Sequence, residues 1–103
     1  MTLIQSSAVS KALRRHREAA NWIAAWRRTA EHAHWSSLDD VRKAYPSADG
    51  VRNRYGVIVT VFNVKGGNSR LLTVMHFVSQ MVYEIDLLSH GEYDKAIWKE
   101  WRI

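Results

Sequence analysis

The sequence predicts an α+β fold, with N-terminal helices packed on a small antiparallel sheet and a short C-terminal helix. Apolar residues recur at three- and four-residue spacing through the first third of the chain, which is typical of amphipathic helices. The second half contains three runs rich in β-branched and aromatic residues, which indicate strands. A turn cluster, Pro46-Ser47-Ala48-Asp49-Gly50, separates the two halves.

The helical part begins near residue 7. No Gly or Pro interrupts residues 7–34, so the pattern fits one long helix or two helices joined near His16 to Glu18, and we favour two. A further helix is expected to begin at Ser37, whose hydroxyl can cap it, and to end before Pro46. Its apolar side would carry Leu38, Val41 and Tyr45.

The three predicted strands are residues 57–64, 70–77 and 81–88. The connections Lys65-Gly66-Gly67-Asn68 and Val78-Ser79-Gln80 are short enough for hairpins, so an antiparallel meander is the simplest topology. In the last strand, alternation predicts a packed face and a more open face that carries Glu84 and Asp86. The packed face would consist of Met81, Tyr83, Ile85 and Leu87.

The C-terminal helix is predicted from a capping box, in which Ser89 is followed three residues later by Glu92. Leu88 and Tyr93 flank the box and are placed to form the matching apolar contact. We expect the helix to carry Ile97 and to include Trp98 and Trp101, two aromatic residues available to meet a partner.

Length and charge restrict the class of protein. A chain of 103 residues is expected to form one domain, residues 1–103. Its 15 Lys and Arg against 10 Asp and Glu give a net charge of +5, which favours a polyanionic partner such as nucleic acid over the alternative of a merely solvated basic surface. The chain has no Cys, no secretory signal pattern and no apolar stretch long enough to span a membrane, so we expect a cytoplasmic protein.

Three segments together resemble the HigB family of toxins, which belong to the RelE-like mRNA interferases. They are residues 35–49, residues 61–71 with the hairpin Phe62-Asn63-Val64-Lys65-Gly66-Gly67-Asn68-Ser69-Arg70, and residues 89–95 with the helix start His90-Gly91-Glu92-Tyr93-Asp94. The resemblance implies a compact RelE-like fold and cleavage of mRNA, often in association with the ribosome. It also implies inhibition by a small antitoxin that commonly carries a helix-turn-helix.

Cleavage of RNA through its own 2′-hydroxyl needs a base, an acid and cations around the phosphate, and it needs no metal or other cofactor. We expect His90 to exchange protons, because the start of a helix favours a neutral imidazole. Tyr93 is placed either to donate a proton or to serve only as an apolar contact. Arg70 is expected to bind the phosphate, with a cross-strand ion pair to Glu84 or Asp86 as the alternative.

Four further cations are candidates for RNA binding: Lys65, Arg52, Arg54 and Lys95. Arg52 and Arg54 lie beside Tyr55 in a predicted loop, a combination suited to single-stranded RNA, although a solvated loop would look alike. Three other histidines are expected to have no catalytic or metal-binding role: His32 and His34, which point in nearly opposite directions on a helix, and His76, which is expected to be hydrogen-bonded within the sheet. The alternative to a ribonuclease is a non-catalytic basic module that binds RNA or a protein.

Overall fold

The computed structural model describes all of residues 1–103. It contains five strands and four α-helices. In chain order they are β1 Thr2–Ile4, α1 Ser7–Arg15, α2 Ala20–His32, α3 Leu38–Ala44, β2 Asp49–Arg52, β3 Ile58–Val64, β4 Ser69–His76, β5 Met81–Ser89 and α4 His90–Asp94. Three short 3₁₀ turns cover Arg17–Ala19, Lys65–Gly67 and Ile97–Glu100.

The five strands form one sheet in the order β1-β5-β4-β3-β2. The predicted meander is confirmed by the antiparallel pairs β3 with β4 and β4 with β5. The sheet is nevertheless mixed, because β1 pairs in parallel with β5. A second unpredicted edge strand, β2, pairs with β3, so Arg52 ends a strand instead of lying in a loop. Both edge strands are too short to show an alternating pattern in the sequence.

The helical half follows the two-helix prediction. The first helix, α1, ends at Arg15, and His16 has an extended φ of −119° that prevents its continuation into α2. The hydroxyl of Ser6 accepts a hydrogen bond from the amide of Ala8 at 3.0 Å at the start of α1, and Ser37 caps α3 in the same way. These caps satisfy amides that a helix start leaves free.

Apolar side chains cover both faces of the sheet, because neighbouring strand residues alternate between the faces. The helices pack on one face, where the buried cluster includes Ile23, Trp26, Phe62, Leu71 and Leu87. The C-terminal segment covers the other face. There Trp98, only 1% exposed, joins the buried residues Val59, Val61, Leu72 and Leu88. The expectation that Trp98 is available to a partner is therefore wrong.

The predicted faces of β5 are wrong. The β4–β5 register shifts between Leu72, which pairs with Asp86, and Thr73, which pairs with Glu84, so Ile85 is an extra residue in the strand. Such a bulge reverses the alternation. Glu84 consequently lies on the helix side, where its fully buried carboxylate binds the Arg27 guanidinium through two contacts of 2.8 and 2.9 Å.

The C-terminal helix is shorter than predicted. Its five residues end before Ala96, which has a left-handed φ of 59°. The chain then continues as the 3₁₀ turn over Ile97–Glu100 instead of one helix through Trp98 and Trp101. A left-handed residue cannot continue a right-handed helix, so this break separates the start of α4 from the apolar anchor at Trp98.

Candidate active site

The candidate site lies where the β3–β4 hairpin meets the start of α4. Pairing in the sheet places Ser69 opposite Ser89 and Arg70 opposite Leu88. The amide of His90 then donates a hydrogen bond to the carbonyl of Asn68 at 3.2 Å. Residues far apart in sequence are thus fixed beside each other by backbone contacts alone.

The hairpin turn positions the Arg70 side chain. Gly66 and Gly67 have positive φ values of 71° and 104°, a conformation that favours glycine. The carbonyl of Gly67 accepts a hydrogen bond from Nη1 of Arg70 at 2.6 Å, and the carbonyl of Ser69 accepts another at 3.3 Å. The guanidinium is therefore held across the turn, with its Nη2 group directed towards α4.

His90 lies between a cation and a carboxylate. Its Nδ1 atom is 3.3 Å from Nη2 of Arg70, and its Nε2 atom is 3.0 Å from Oδ2 of Asp94. Because arginine only donates hydrogen bonds, we assign Nδ1 as the acceptor, so that a neutral ring carries its proton on Nε2, the atom 3.0 Å from Oδ2 of Asp94. The arrangement is a guanidinium, imidazole and carboxylate chain on the surface. The alternative considered for Arg70, an ion pair with Glu84 or Asp86, is absent, since Glu84 binds Arg27.

Asp94 was not among the residues singled out from the sequence. It follows His90 by four residues, a spacing that places two side chains on the same side of a helix. That spacing is the signal that identifies it. A carboxylate that orients an imidazole is a recurring part of proton-transfer sites.

Tyr93 lies beside Arg70. Its ring stacks on Trp98, with centroids 5.3 Å apart and planes at 16°, and the Arg70 guanidinium carbon lies 5.5 Å from the ring centroid. Tyr93 packs against the apolar cluster that contains Leu88, which agrees with the predicted apolar contact. Burial raises the pKa of the Tyr93 hydroxyl, and the negative charge of Asp49 adds to the increase. The hydroxyl is therefore protonated at neutral pH.

The predicted capping box is confirmed. The Ser89 hydroxyl accepts a hydrogen bond from the Glu92 amide at 3.1 Å, and the Glu92 carboxylate accepts one from the Ser89 amide at 2.8 Å. The bond from the Ser89 backbone lowers the pKa of Glu92, so this carboxylate stays ionised at neutral pH. The box fixes the backbone directly before and after His90.

The four other candidate cations do not converge. Lys65 lies exposed in the hairpin turn and Lys95 directly after α4, so both belong to the site end of the sheet. Arg52 and Arg54 lie at the opposite end of β3, about 20 Å away for a strand of seven residues. Arg54 also forms a 2.8 Å ion pair with Glu100.

His76 and His32 lie outside this site. The His76 ring is exposed at the end of β4, where it contacts Tyr83 edge to face and forms no hydrogen bond, so the expected hydrogen-bonded sheet histidine is wrong. His32 contacts the Arg28 carbonyl through Nδ1 at 2.8 Å. No three His, Asp or Glu side chains are grouped so that they could hold a metal ion.

The architecture and the polar chain at its hairpin define the class of protein as a small RelE-like α+β domain. The family model for HigB toxins, described as the RelE-like toxic component of a toxin–antitoxin system, matches residues 19–96. The chain therefore belongs to the HigB toxin family. None of the curated proteins matches it closely enough to count as a relative. None of its helices has the length and apolar character needed to cross a membrane.

Proposed function

We propose that this chain is a single-domain endoribonuclease toxin that cleaves mRNA in the cytoplasm, in association with the ribosome. A cognate antitoxin with a helix-turn-helix neutralises it. The chain of contacts from Arg70 through His90 to Asp94, with Tyr93 beside it, supports this proposal best. These side chains supply a base, an acid and a cation, the three requirements of cleavage through the RNA 2′-hydroxyl.

The first step is deprotonation of the RNA 2′-hydroxyl. In the free protein Nδ1 of His90 accepts from Arg70. When a phosphate binds, the guanidinium turns from the imidazole to the phosphate oxygens, which leaves Nδ1 free to take the proton. The carboxylate of Asp94, whose Oδ2 lies 3.0 Å from Nε2, then stabilises the imidazolium that forms by its negative charge.

The second step is displacement at phosphorus. The 2′-oxygen forms a bond to phosphorus, the bond to the 5′-oxygen breaks, and the leaving oxygen takes the proton of the Tyr93 hydroxyl. The raised pKa of Tyr93 keeps that proton available at neutral pH. Arg70 stabilises the negative charge that develops on the phosphate. The products are a 2′,3′-cyclic phosphate and a 5′-hydroxyl, and the scheme uses no metal or cofactor.

Substrate binding is attributed to the positive charge of the chain. Lys65 and Lys95 lie at the site end of the sheet and are assigned to the RNA backbone near the scissile phosphate. Arg52 and Arg54, at the other end of β3, are assigned to more distant nucleotides or to ribosomal RNA. Phosphate contacts of this kind make binding salt-dependent.

A non-catalytic basic module is the second candidate. One observation favours it: the Nδ1 atom of His90, which would accept the proton, is already engaged by the Arg70 guanidinium. The two functions differ in whether bound RNA is cut.

Incubation of the purified protein with mRNA, with and without ribosomes, tests the proposal. We expect cleavage that continues in excess chelator when ribosomes are not needed, and growth arrest on expression that the antitoxin relieves. Tight RNA binding without cleavage under either condition would favour the binding module.

A further inference from the structure

His16 lies between two carboxylates on the side of α4 that faces α1. It occupies the junction between α1 and the 3₁₀ turn before α2. Its Nδ1 atom is 3.9 Å from a carboxylate oxygen of Glu18, and its Nε2 atom is 3.9 Å from Oε1 of Glu92. Only 21% of the His16 side-chain surface is exposed. The Nε2 atom is buried without a hydrogen-bond partner, which is costly for a polar group.

The protonation state of His16 decides whether this arrangement is satisfied. A neutral imidazole has one N–H group, whereas an imidazolium donates from both nitrogens. Only the imidazolium can therefore donate to Glu18 and Glu92 together. Two other charged groups interact electrostatically with Glu92. They are Arg15, which precedes His16 in α1, and Asp86 in β5.

Glu92 links this histidine to the candidate active site. Its Oε1 atom already accepts the amide of Ser89 at 2.8 Å and retains a second lone pair. A small approach of the His16 ring would occupy that lone pair without breaking the capping box. Ser89 directly precedes His90, so the contact would act on the backbone that carries the imidazole.

We propose that His16 is a pH-dependent positioning residue, which when protonated binds the Glu92 carboxylate and holds the start of α4 so that His90 stays against Arg70. The inference rests on the proposed function of the site. An imidazolium attracts the Glu92 carboxylate by its charge as well as by its N–H group, so the contact is stronger when the ring is protonated than when it is neutral.

A double-mutant cycle tests this link through the folding equilibrium. Gln can replace Glu in a capping box, so Glu92→Gln keeps the cap and removes only the charge. His16→Gln removes the titratable ring. We expect a coupling of about two- to fivefold in the folding equilibrium constant at about pH 6, as for partly exposed ion pairs, and a smaller coupling at about pH 8. His34→Gln, which changes an exposed histidine, is the matched control and should show no coupling to Glu92→Gln.

Amide and imidazole NMR spectra give a readout at the site itself. His16→Gln and Glu92→Gln should remove the same part of the pH-dependent shift at Ser89 and at the His90 ring. If His16→Gln does not fold, the loss of that shift in Glu92→Gln alone still supports the link. No coupling at pH 6, or an unchanged pH response in Glu92→Gln, would overturn it. If His16 and Glu92 are coupled in a protein that never cuts RNA, the link between them is supported and only the proposed ribonuclease function is refuted.

Discussion

Nη2 of Arg70 lies 3.3 Å from Nδ1 of His90, so the cation of the candidate site and its imidazole contact each other directly. The proposed mechanism gives these two paired groups separate tasks in RNA cleavage. Binding of a phosphate would separate them, because the contact of a guanidinium with an anion is stronger than its contact with a neutral imidazole. In the proposed mechanism this contact withholds the base until a phosphate is present.

Replacement of His90 by Gln should remove proton transfer and leave RNA binding intact. We expect cleavage to fall by roughly two to four orders of magnitude, the usual contribution of a general acid or base. The affinity for RNA or ribosomes should change little, since the phosphate contact is assigned to Arg70 and not to His90. Single-turnover cleavage and a binding assay measure the two effects separately. A folded His90→Gln variant that cuts at the normal rate would refute the assignment.

Arg70→Ala should impair both binding and cleavage. The guanidinium contributes to the attraction of the phosphate before reaction and to the charge that develops during it. Arg70→Lys keeps the charge but loses the two-point contact, so we expect it to bind better than the Ala variant and still to cut poorly. Filter binding at several salt concentrations and initial cleavage rates provide the comparison. An equal loss of RNA binding in the Ala and Lys variants would show that the charge of residue 70 does not attract the phosphate, which would contradict the assignment.

Tyr93→Phe separates the hydroxyl from the ring. The stack on Trp98 and the contacts with the buried cluster need only the ring, so the unfolding midpoint should change little. Cleavage should fall strongly, because Phe has no proton to donate. In the unmodified protein the raised pKa of Tyr93 keeps the donor protonated, and this form is lost only as the pH rises through that raised value. Normal cleavage by Tyr93→Phe would show that the residue is only an apolar contact.

The ion pair between Arg27 and Glu84 should matter for stability and not for chemistry. Glu84 is fully buried and Arg27 is 20% exposed, so Arg27→Met leaves an uncompensated charge beneath α2. We expect a loss of about 3–5 kcal/mol in the free energy of unfolding, typical of a broken buried pair. The double variant Arg27→Met, Glu84→Gln should recover part of the loss. Urea unfolding at neutral pH measures both, and an unchanged midpoint for Arg27→Met would contradict this account.

Some parts of this structure can be predicted from the sequence, whereas others depend on residues far apart in the chain. Caps at Ser37 and Ser89 and the Gly66-Gly67 turn are local signals, because the residues that form them are neighbours in the chain. The bulge at Ile85 depends on the strand opposite, so alternation within β5 alone gives the wrong face for Glu84. The parallel edge strand β1 and its partner β5 are separated by most of the chain.

In the candidate site, too, some residues are identified from the sequence and others only from the structure. His90, Tyr93 and Arg70 were identified from residue type and motif, and the sheet brings them together. The four-residue spacing from His90 is a sequence signal for Asp94, whereas His16 could be assigned a place only from side-chain contacts. Arg52 and Arg54 carry the positive charge that RNA binding needs, but they lie at the end of β3 opposite the site.

Cleavage of an RNA with one altered sugar tests the central claim most directly. The mechanism needs the 2′-hydroxyl of the nucleotide on the 5′ side of the scissile phosphate. We therefore predict that a single 2′-deoxy substitution there abolishes cutting at that position, while the all-ribose RNA gives fragments ending in a 2′,3′-cyclic phosphate. Cleavage of the 2′-deoxy substrate at a similar rate, at the same phosphate, would contradict the account.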